Sequence, residues 1–161
     1  MVDKVSYDRI KLLHPKLRAE AESIFEEASD ALDGRASLRF TQTLRTFAEQ
    51  DLLYAMGRTA KGSVVTNSKG GFSYHNYGLA IDICLMINGK PSWDVKADWD
   101  KDGKSDWLEV VSAFKRHGWE WGGDWRFYDA PHFQKTFGKS IAELRSLKLN
   151  GKVDKEGFVM F

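Results

Sequence analysis

The most apolar stretch of the chain, residues 79–87, contains a single carboxylate, Asp82, near its centre. A short apolar run that ends at a turn signal, here Asn88-Gly89, is typical of a buried strand followed by a hairpin. Side chains alternate between the two faces of a strand, so the leucines and isoleucines share one face, and Asp82 lies on the other among small or flexible residues. The pattern therefore predicts a core strand whose second face has room for a polar site.

Length and composition predict one domain over residues 1–161. Of these residues 42% are hydrophobic and 29% charged, which is typical of a soluble globular protein. Lys and Arg total 24 against 23 Asp and Glu, so the net charge favours neither nucleic acid nor a membrane surface as a partner. Residues 1–6 lack the apolar segment of a signal peptide, and no apolar run is long enough to insert into a membrane. Cys84 is the only cysteine, so no internal disulfide can form, and we expect the protein to be made in the cytoplasm. We also expect it to be a monomer.

The remaining pattern predicts an α+β fold with a small, mostly antiparallel sheet flanked by helices. The predicted helices are one capped by Ser6, one from Pro15 to Leu32, one from Thr46 to about Gly57, one from Trp107 to His117, and one from Ser140 to about Leu149. The predicted strands lie around Leu38 and Phe40, over residues 79–87, and over the short segments Trp119–Trp121 and His132–Gln134. Residues 150–161 form a tail to which the pattern assigns no structure.

Two histidines join Asp82 as candidate metal ligands. His75 lies just before the predicted strand, and Gly78 allows the backbone to fold back so that His75 approaches Asp82. His132 follows much later, and Asp129 precedes it by three residues. Two imidazoles and one carboxylate are a common ligand set for catalytic zinc, which keeps a fourth position open for water, and a nearby carboxylate can accept the proton of that water. Each residue taken singly is better explained by a surface or core position than by a metal site.

The combination of these residues matches two family signatures. Residues Ser73–Asp82, Ser-Tyr-His-Asn-Tyr-Gly-Leu-Ala-Ile-Asp, resemble the Ser-x-His-x-x-Gly-x-Ala-x-Asp signature of zinc D-alanyl-D-alanine peptidases and their relatives. Residues Asp129–Phe133, Asp-Ala-Pro-His-Phe, resemble the second signature of that family, Asp/Glu-x-x-His.

Two further segments resemble one branch of the family. They are Trp-Glu-Trp-Gly-Gly-Asp-Trp at residues 119–125 and Leu-His-Pro-Lys-Leu-Arg at residues 13–18. The branch comprises the L-alanyl-D-glutamate endopeptidases of phage endolysins and of bacterial cell-wall lytic enzymes. The resemblance covers about Leu13 to Phe137 and leaves residues 138–161, the predicted last helix and tail, without a matching motif.

The resemblance implies the zinc D-Ala-D-Ala peptidase-like (hedgehog-type) fold and a zinc site. Matched position by position, His75, Asp82 and His132 are the zinc ligands and Asp129 is the catalytic carboxylate. A single catalytic domain over residues 1–161 follows as an expectation.

The resemblance also implies residues that face the substrate. Arg45 and Gln50 match substrate-facing positions of the family, and Ser73 matches a polar residue beside the zinc. Some relatives have a second histidine two residues before the last ligand, where this chain has Ala130. A donor for the transition state must then come from elsewhere, and Arg45, with its planar guanidinium, is the candidate. The alternative for Arg45 is a surface ion pair at the start of a helix.

A different metal pattern occupies residues 98–109. The segment fits D-x-[DN]-x-[DN]-G-x₅-E without a gap, with Gly103 at the position where the loop turns sharply. It predicts a calcium ion, structural or regulatory, that orders the connection between the Asp82 strand and the segment of Asp129 and His132. The alternative is a solvated acidic turn in which Asp106 caps the next helix. Ser105 replaces the usual apolar residue of such loops, and no helix is predicted before the loop. The predicted calcium ligands are Asp98, Asp100, Asp102, the Lys104 carbonyl, Asp106 and Glu109.

These features predict a zinc metallopeptidase that hydrolyses the L-Ala–D-Glu bond of peptidoglycan stem peptides. A phage endolysin for host lysis is the leading interpretation: a protein made in the host cytoplasm that acts on the cell wall after release. One alternative is a D-alanyl-D-alanine carboxypeptidase or dipeptidase, which shares the zinc signature. Another is a non-catalytic, zinc-containing module that binds the cell wall, and the presence of Asp129 argues against it. A calcium sensor is a weaker alternative, since only one loop is present.

Overall fold

The computed structural model describes residues 3–161 and confirms the predicted α+β class. The helices in this range are α1 (Lys4–Ile10), α2 (Arg18–Ala31), α3 (Phe47–Ala55), α4 (Asp106–Arg116) and α5 (Ile141–Leu149). The strands are β1 (Ser37–Gln42), β2 (Ala80–Ile87), β3 (Lys90–Ser92), β4 (Glu120–Trp121) and β5 (His132–Gln134). Short 3-10 helices cover Pro15–Leu17, Tyr74–Tyr77 and Gly122–Asp124. Within residues 3–161, no helix combines the length and apolarity that crossing a membrane requires.

The five strands form one antiparallel sheet with β2 at its centre. The strand order is β1-β2-β5-β4, and β3 forms a hairpin with the end of β2. In the pairing of β2 with β5, Asp82 lies directly opposite His132. Directly opposed residues in an antiparallel pair have neighbouring side chains on the same face. The register of the sheet therefore brings two distant segments of the chain together at one point.

One core joins the sheet to the helices. The predicted apolar face of β2 is buried, as are the inward faces of α2 and α4. Phe114 of α4 stacks on Phe133 of β5, with ring centroids 3.9 Å apart. Because Phe133 is the neighbour of His132, α4 supports the part of β5 that carries the polar site.

The first helix differs from the prediction. Ser6 does not cap it, because α1 begins at Lys4 and Ser6 lies buried within the helix. Its hydroxyl donates a hydrogen bond to the Asp3 carboxylate (2.5 Å) and accepts one from the backbone N–H of Phe40 (2.8 Å). Ser6 therefore connects α1 to β1, a tertiary role that a local capping pattern does not encode.

The C-terminal tail is ordered against the N-terminal part of the chain. Val153 and Val159 form an isolated antiparallel bridge, and the buried Val159 carbonyl accepts a hydrogen bond from His14 Nε2 (2.7 Å). The rings of Phe158 and Phe161 lie 5.6 and 5.1 Å from the His14 ring. Residues 150–161 thus belong to the folded domain.

Candidate metal centre

Three elements bring the predicted zinc ligands together. His75 lies on the 3-10 helix Tyr74–Tyr77, Asp82 in the middle of β2, and His132 at the start of β5. Asp82 Oδ1 is 3.2 Å from His75 Nε2 and 3.1 Å from His132 Nδ1. One ligand atom from each of the three residues lies within 4.8 Å of the other two. This spacing allows all three side chains to contact one ion.

The approach of His75 depends on the turn after its helix. Gly78 ends that helix with φ +68°, a left-handed conformation that glycine adopts without strain. The turn returns the chain to β2, so His75 lies beside Asp82.

The hydrogen bonds of His75 determine which of its nitrogens faces the cluster. Nδ1 lies 2.7 Å from the Thr43 carbonyl, which can only accept, so Nδ1 carries the proton. Nε2 is then an unprotonated acceptor, and it is buried without a hydrogen-bond partner. A buried nitrogen left without a partner is rare in proteins and is the arrangement expected of a metal ligand.

His132 faces the cluster through Nδ1, whereas His75 faces it through Nε2. Its Nε2 lies 2.9 Å from the amide oxygen of Gln134, which can only accept, so Nε2 carries a proton and Nδ1 faces Asp82. The Gln134 amide nitrogen in turn donates to the Glu120 carboxylate (2.9 Å). Gln134 and Glu120 were not predicted from the sequence. The strand alternation of β5 was the available signal, because it places Gln134 on the same face as His132.

The charges of the cluster are strongly coupled. Burial raises the pKa of Asp82, but when His75 and His132 are protonated their charges and hydrogen bonds outweigh burial, and the pKa falls far below its usual range. Burial lowers the pKa of His132, while the hydrogen bond and charge of Asp82 raise it above its ordinary value. Asp82 is therefore an ionised carboxylate, as a metal ligand must be.

Asp129 lines the same cavity, which has a volume of about 370 Å³. Its backbone N–H donates to the Gly122 carbonyl (2.9 Å), and a Cβ on Gly122 would lie 2.3 Å from the Asp129 carbonyl oxygen. Only glycine therefore permits this close approach. The pKa of Asp129 is raised above its usual value, mainly by burial. The charge of His132 lowers this pKa, and the charge of Asp82 raises it further.

Arg45 faces the cluster rather than the surface. Its Nη2 lies 3.9 Å from Asp82 Oδ2, and its side chain is only 13% exposed. Nη1 donates to the amide oxygen of Gln50 (2.8 Å), and the buried Nε has no hydrogen-bond partner. Burial lowers the pKa of Arg45, and the negative charge of Asp82 only partly offsets this effect. The surface ion pair that was the alternative interpretation of Arg45 does not occur.

Gln50 and Ser73 take different positions around the cavity. Gln50 is fully buried behind Arg45, where its amide nitrogen donates to the Ser68 carbonyl (2.8 Å). Ser73 lines the cavity, and its hydroxyl accepts a hydrogen bond from the backbone N–H of His75 (3.3 Å). Asn76, which was not predicted, accepts from the Ser73 N–H and donates to the Arg45 carbonyl. It thereby links the segment of Arg45 to that of His75.

The acidic loop of residues 98–109 lies apart from this cluster, at the start of α4. Carboxylate oxygens of Asp98, Asp100 and Asp102 lie within 4.8 Å of one another. Ser105 caps α4 by accepting a hydrogen bond from the Leu108 N–H (3.3 Å), so the alternative in which Asp106 is the cap is wrong. Asp106 is instead the first residue of α4 and is completely buried.

Comparison with known proteins gives concordant matches. A sequence model of the D-alanyl-D-alanine carboxypeptidase family matches residues 66–135. The peptidoglycan L-alanyl-D-glutamate endopeptidase CwlK of Bacillus subtilis (strain 168) is 49% identical over 124 residues, which are 76% of this chain and 72% of CwlK. The L-alanyl-D-glutamate peptidase of Listeria phage A118 is 33% identical over 110 residues, 60% of this chain and 37% of the phage protein. The crystal structure of the L-Ala D-Glu endopeptidase ChiX of Serratia marcescens matches with a TM-score of 0.54 and 26% identity, covering 84% of this chain and 90% of the ChiX chain.

Proposed function

Because this chain belongs to the D-alanyl-D-alanine carboxypeptidase family, among its peptidoglycan L-alanyl-D-glutamate endopeptidases, we propose that it hydrolyses the L-Ala–D-Glu bond of peptidoglycan stem peptides at a zinc held by His75, Asp82 and His132. The family and the enzyme class predicted from the sequence are confirmed: the chain is a peptidoglycan endopeptidase. The observation that carries the assignment of the site is the convergence of these three side chains inside the matched region.

The residues present fit a zinc ion, on which peptidases of this family depend. Two imidazole nitrogens and a carboxylate oxygen are a ligand set that zinc accepts, and the buried His75 Nε2 has no other partner. The outer nitrogen of each histidine is hydrogen-bonded to an acceptor, as is usual for zinc-binding histidines. When bound, zinc would polarise the scissile carbonyl and lower the pKa of a water molecule to about 7.

We assign proton transfer to Asp129. Its carboxylate accepts a proton from the attacking water and delivers it to the amine of D-Glu as the peptide bond breaks. The raised pKa of Asp129 supports this role, because a general base works best when its pKa lies nearer to the pH of the reaction. The two products are a new L-Ala carboxyl group and a new D-Glu amine.

We assign substrate binding to the Arg45 side of the cavity. The guanidinium either stabilises the developing oxyanion or binds a carboxylate of the stem peptide, for which its planar donors are suited. Gln50 holds the guanidinium in place, and the Ser73 hydroxyl offers a polar contact beside the zinc site.

Product analysis tests the bond that is cut. Purified peptidoglycan digested with the zinc-loaded protein should yield muropeptides with a new L-Ala carboxyl and a new D-Glu amine in mass spectrometry. The second candidate is a D-alanyl-D-alanine carboxypeptidase or dipeptidase, the activity that the description of the matched family names. It predicts released D-Ala instead. Release of neither product by the zinc-loaded protein would contradict both proposed cleavage sites.

The biological setting is a further part of the proposal. The relative from Listeria phage A118 supports an endolysin that degrades the host cell wall, and CwlK supports the alternative of a bacterial wall-lytic enzyme. In either setting the protein acts on the cell wall, and we expect it to do so as a monomer. Calcium, the second predicted metal, would take no part in this hydrolysis, because the loop of residues 98–109 shares no residue with the zinc cluster.

A further inference from the structure

The acidic loop of residues 98–109 carries five carboxylates against two cations, Lys101 and Lys104. Its five carboxylates are those of Asp98, Asp100, Asp102, Asp106 and Glu109. Within residues 3–161, none of the five forms a salt bridge. The loop nevertheless folds back on itself: Asp98 Oδ2 accepts from the Gly103 N–H (2.9 Å), and Gly103 has φ +91°.

Two buried oxygens point to a missing partner. Asp106 is completely buried; its Oδ1 accepts from the Trp99 N–H (2.9 Å), but its Oδ2 has no hydrogen-bond partner. Oε2 of Glu109 is also buried without a partner. An unpaired carboxylate oxygen inside a protein is costly, since burial removes its hydration and nothing replaces it. These two oxygens come from the loop positions at which calcium loops of this spacing supply their last two ligands.

We propose that residues 98–109 bind one calcium ion. The ligands are the carboxylates of Asp98, Asp100, Asp102 and Glu109 and the backbone carbonyl of Lys104, and Asp106 closes the site directly or through a water molecule. All donors are oxygen, which suits calcium and distinguishes this site from the nitrogen-containing zinc cluster. The proposal is independent of the hydrolytic function, because the two sites share no ligand.

The position of the loop gives the ion a structural role. Asp106 and Glu109 lie in the first turn of α4, and Phe114 near the other end of that helix stacks on Phe133 of β5. Calcium would therefore fix the start of the helix that supports the strand of His132. We expect it to raise the stability of the whole domain more than the rate of hydrolysis.

Calorimetry on the full chain tests the proposal. Metals are removed with a chelating resin, one equivalent of zinc is restored, and CaCl₂ or MgCl₂ is titrated in at pH 7.5. We expect one calcium per chain, weaker binding of magnesium, and a rise in Tm of roughly 5–10 °C when calcium is about a hundredfold above its Kd.

Two matched variants separate a calcium site from a solvated acidic turn. Glu109→Gln should weaken calcium binding at least tenfold while the calcium-free protein remains folded, because the substitution removes charge and keeps the side-chain shape. Glu143→Gln, in the first turn of α5, should bind calcium as the wild type does. An absence of calcium heat, or an equal rise in Tm for Glu109→Gln and wild type, would overturn the proposal. Muropeptide cleavage by the zinc-loaded protein is measured separately, so either proposal can fail alone.

Discussion

The two histidines of the candidate metal centre are oriented by groups outside the set of three proposed ligands. The Thr43 carbonyl leaves His75 with a free Nε2, and the Gln134 amide leaves His132 with Nδ1 toward Asp82. His75 thus presents Nε2 and His132 presents Nδ1 to the candidate metal site, a difference that the sequence motif does not specify. At the scale of single residues, the predicted ligands are set by the motif, but their tautomers are set by partners that only the folded structure reveals.

The Gln134 amide can be tested without altering a ligand. Gln134→Ala removes the acceptor of His132 Nε2, so the imidazole loses its fixed tautomer and orientation. We expect zinc affinity to fall about 10–100-fold, measured by competition with a chromophoric chelator. Asn150→Ala is the matched control, because the exposed Asn150 amide donates to the Ser146 hydroxyl at the end of α5. Equal zinc affinities in the two variants would remove Gln134 from the proposed metal centre.

Asp129 can be separated from the ligands by its effect on rate alone. Asp129→Asn keeps the shape of the side chain but cannot accept a proton. We therefore expect a fall in kcat of about 10²–10⁴-fold with zinc content unchanged, measured on purified muropeptides with metal analysis of the same sample. Asp124→Asn alters an exposed carboxylate that pairs with Lys115, and should leave kcat as it is. A fully active Asp129→Asn protein would refute the assignment of the base.

At the scale of secondary structure, the elements were more predictable than their pairing. Apolar alternation located β2 to within one residue, and capping residues located the starts of α3 and α5. The register that sets Asp82 opposite His132 could not be derived, because it depends on contacts between segments far apart in sequence. The role of Ser6 was mistaken for the same reason, since its hydroxyl serves β1 rather than the start of its own helix.

The turn at Gly78 gives an element-scale prediction. Besides its positive φ, a Cβ at this position would lie 2.5 Å from the backbone nitrogen of His14. Gly78→Ala should therefore destabilise the domain by more than the roughly 1 kcal/mol expected from the backbone conformation alone, measured by urea denaturation. It should also weaken zinc binding, because His75 lies in the helix that Gly78 ends.

Gly89→Ala is the control for that comparison. Gly89 has φ +76°, yet a Cβ there would meet no atom within 4 Å. Its substitution isolates the conformational cost and lies in the β2–β3 turn, away from the zinc cluster. If both variants lost the same stability, the close approach to His14 would contribute nothing.

At the scale of the whole molecule, the C-terminal tail meets the segment of His14 beside the turn at Gly78. The backbone N–H of His14 donates to the Gly78 carbonyl (3.0 Å), and the His14 ring donates to the Val159 carbonyl. The C-terminal tail therefore supports the turn that positions His75. This contact could not be predicted, because the tail has no matching motif and its few apolar residues follow no periodic pattern.

Phe158 connects the tail to the turn at Gly78, and removing its ring should weaken zinc binding. The ring is buried and would lie 3.0 Å from a Cβ on Gly78, so it packs directly against the turn. Phe158→Ala should cost about 2–4 kcal/mol of unfolding free energy, somewhat less than a fully enclosed phenylalanine, and should lower zinc affinity because the turn loosens. Met160→Ala, at an exposed side chain two residues later, should change neither quantity. Urea denaturation and chelator competition on both variants measure the effect. If Phe158→Ala lost stability while zinc affinity stayed at the wild-type value, the tail would stabilise the domain without positioning His75.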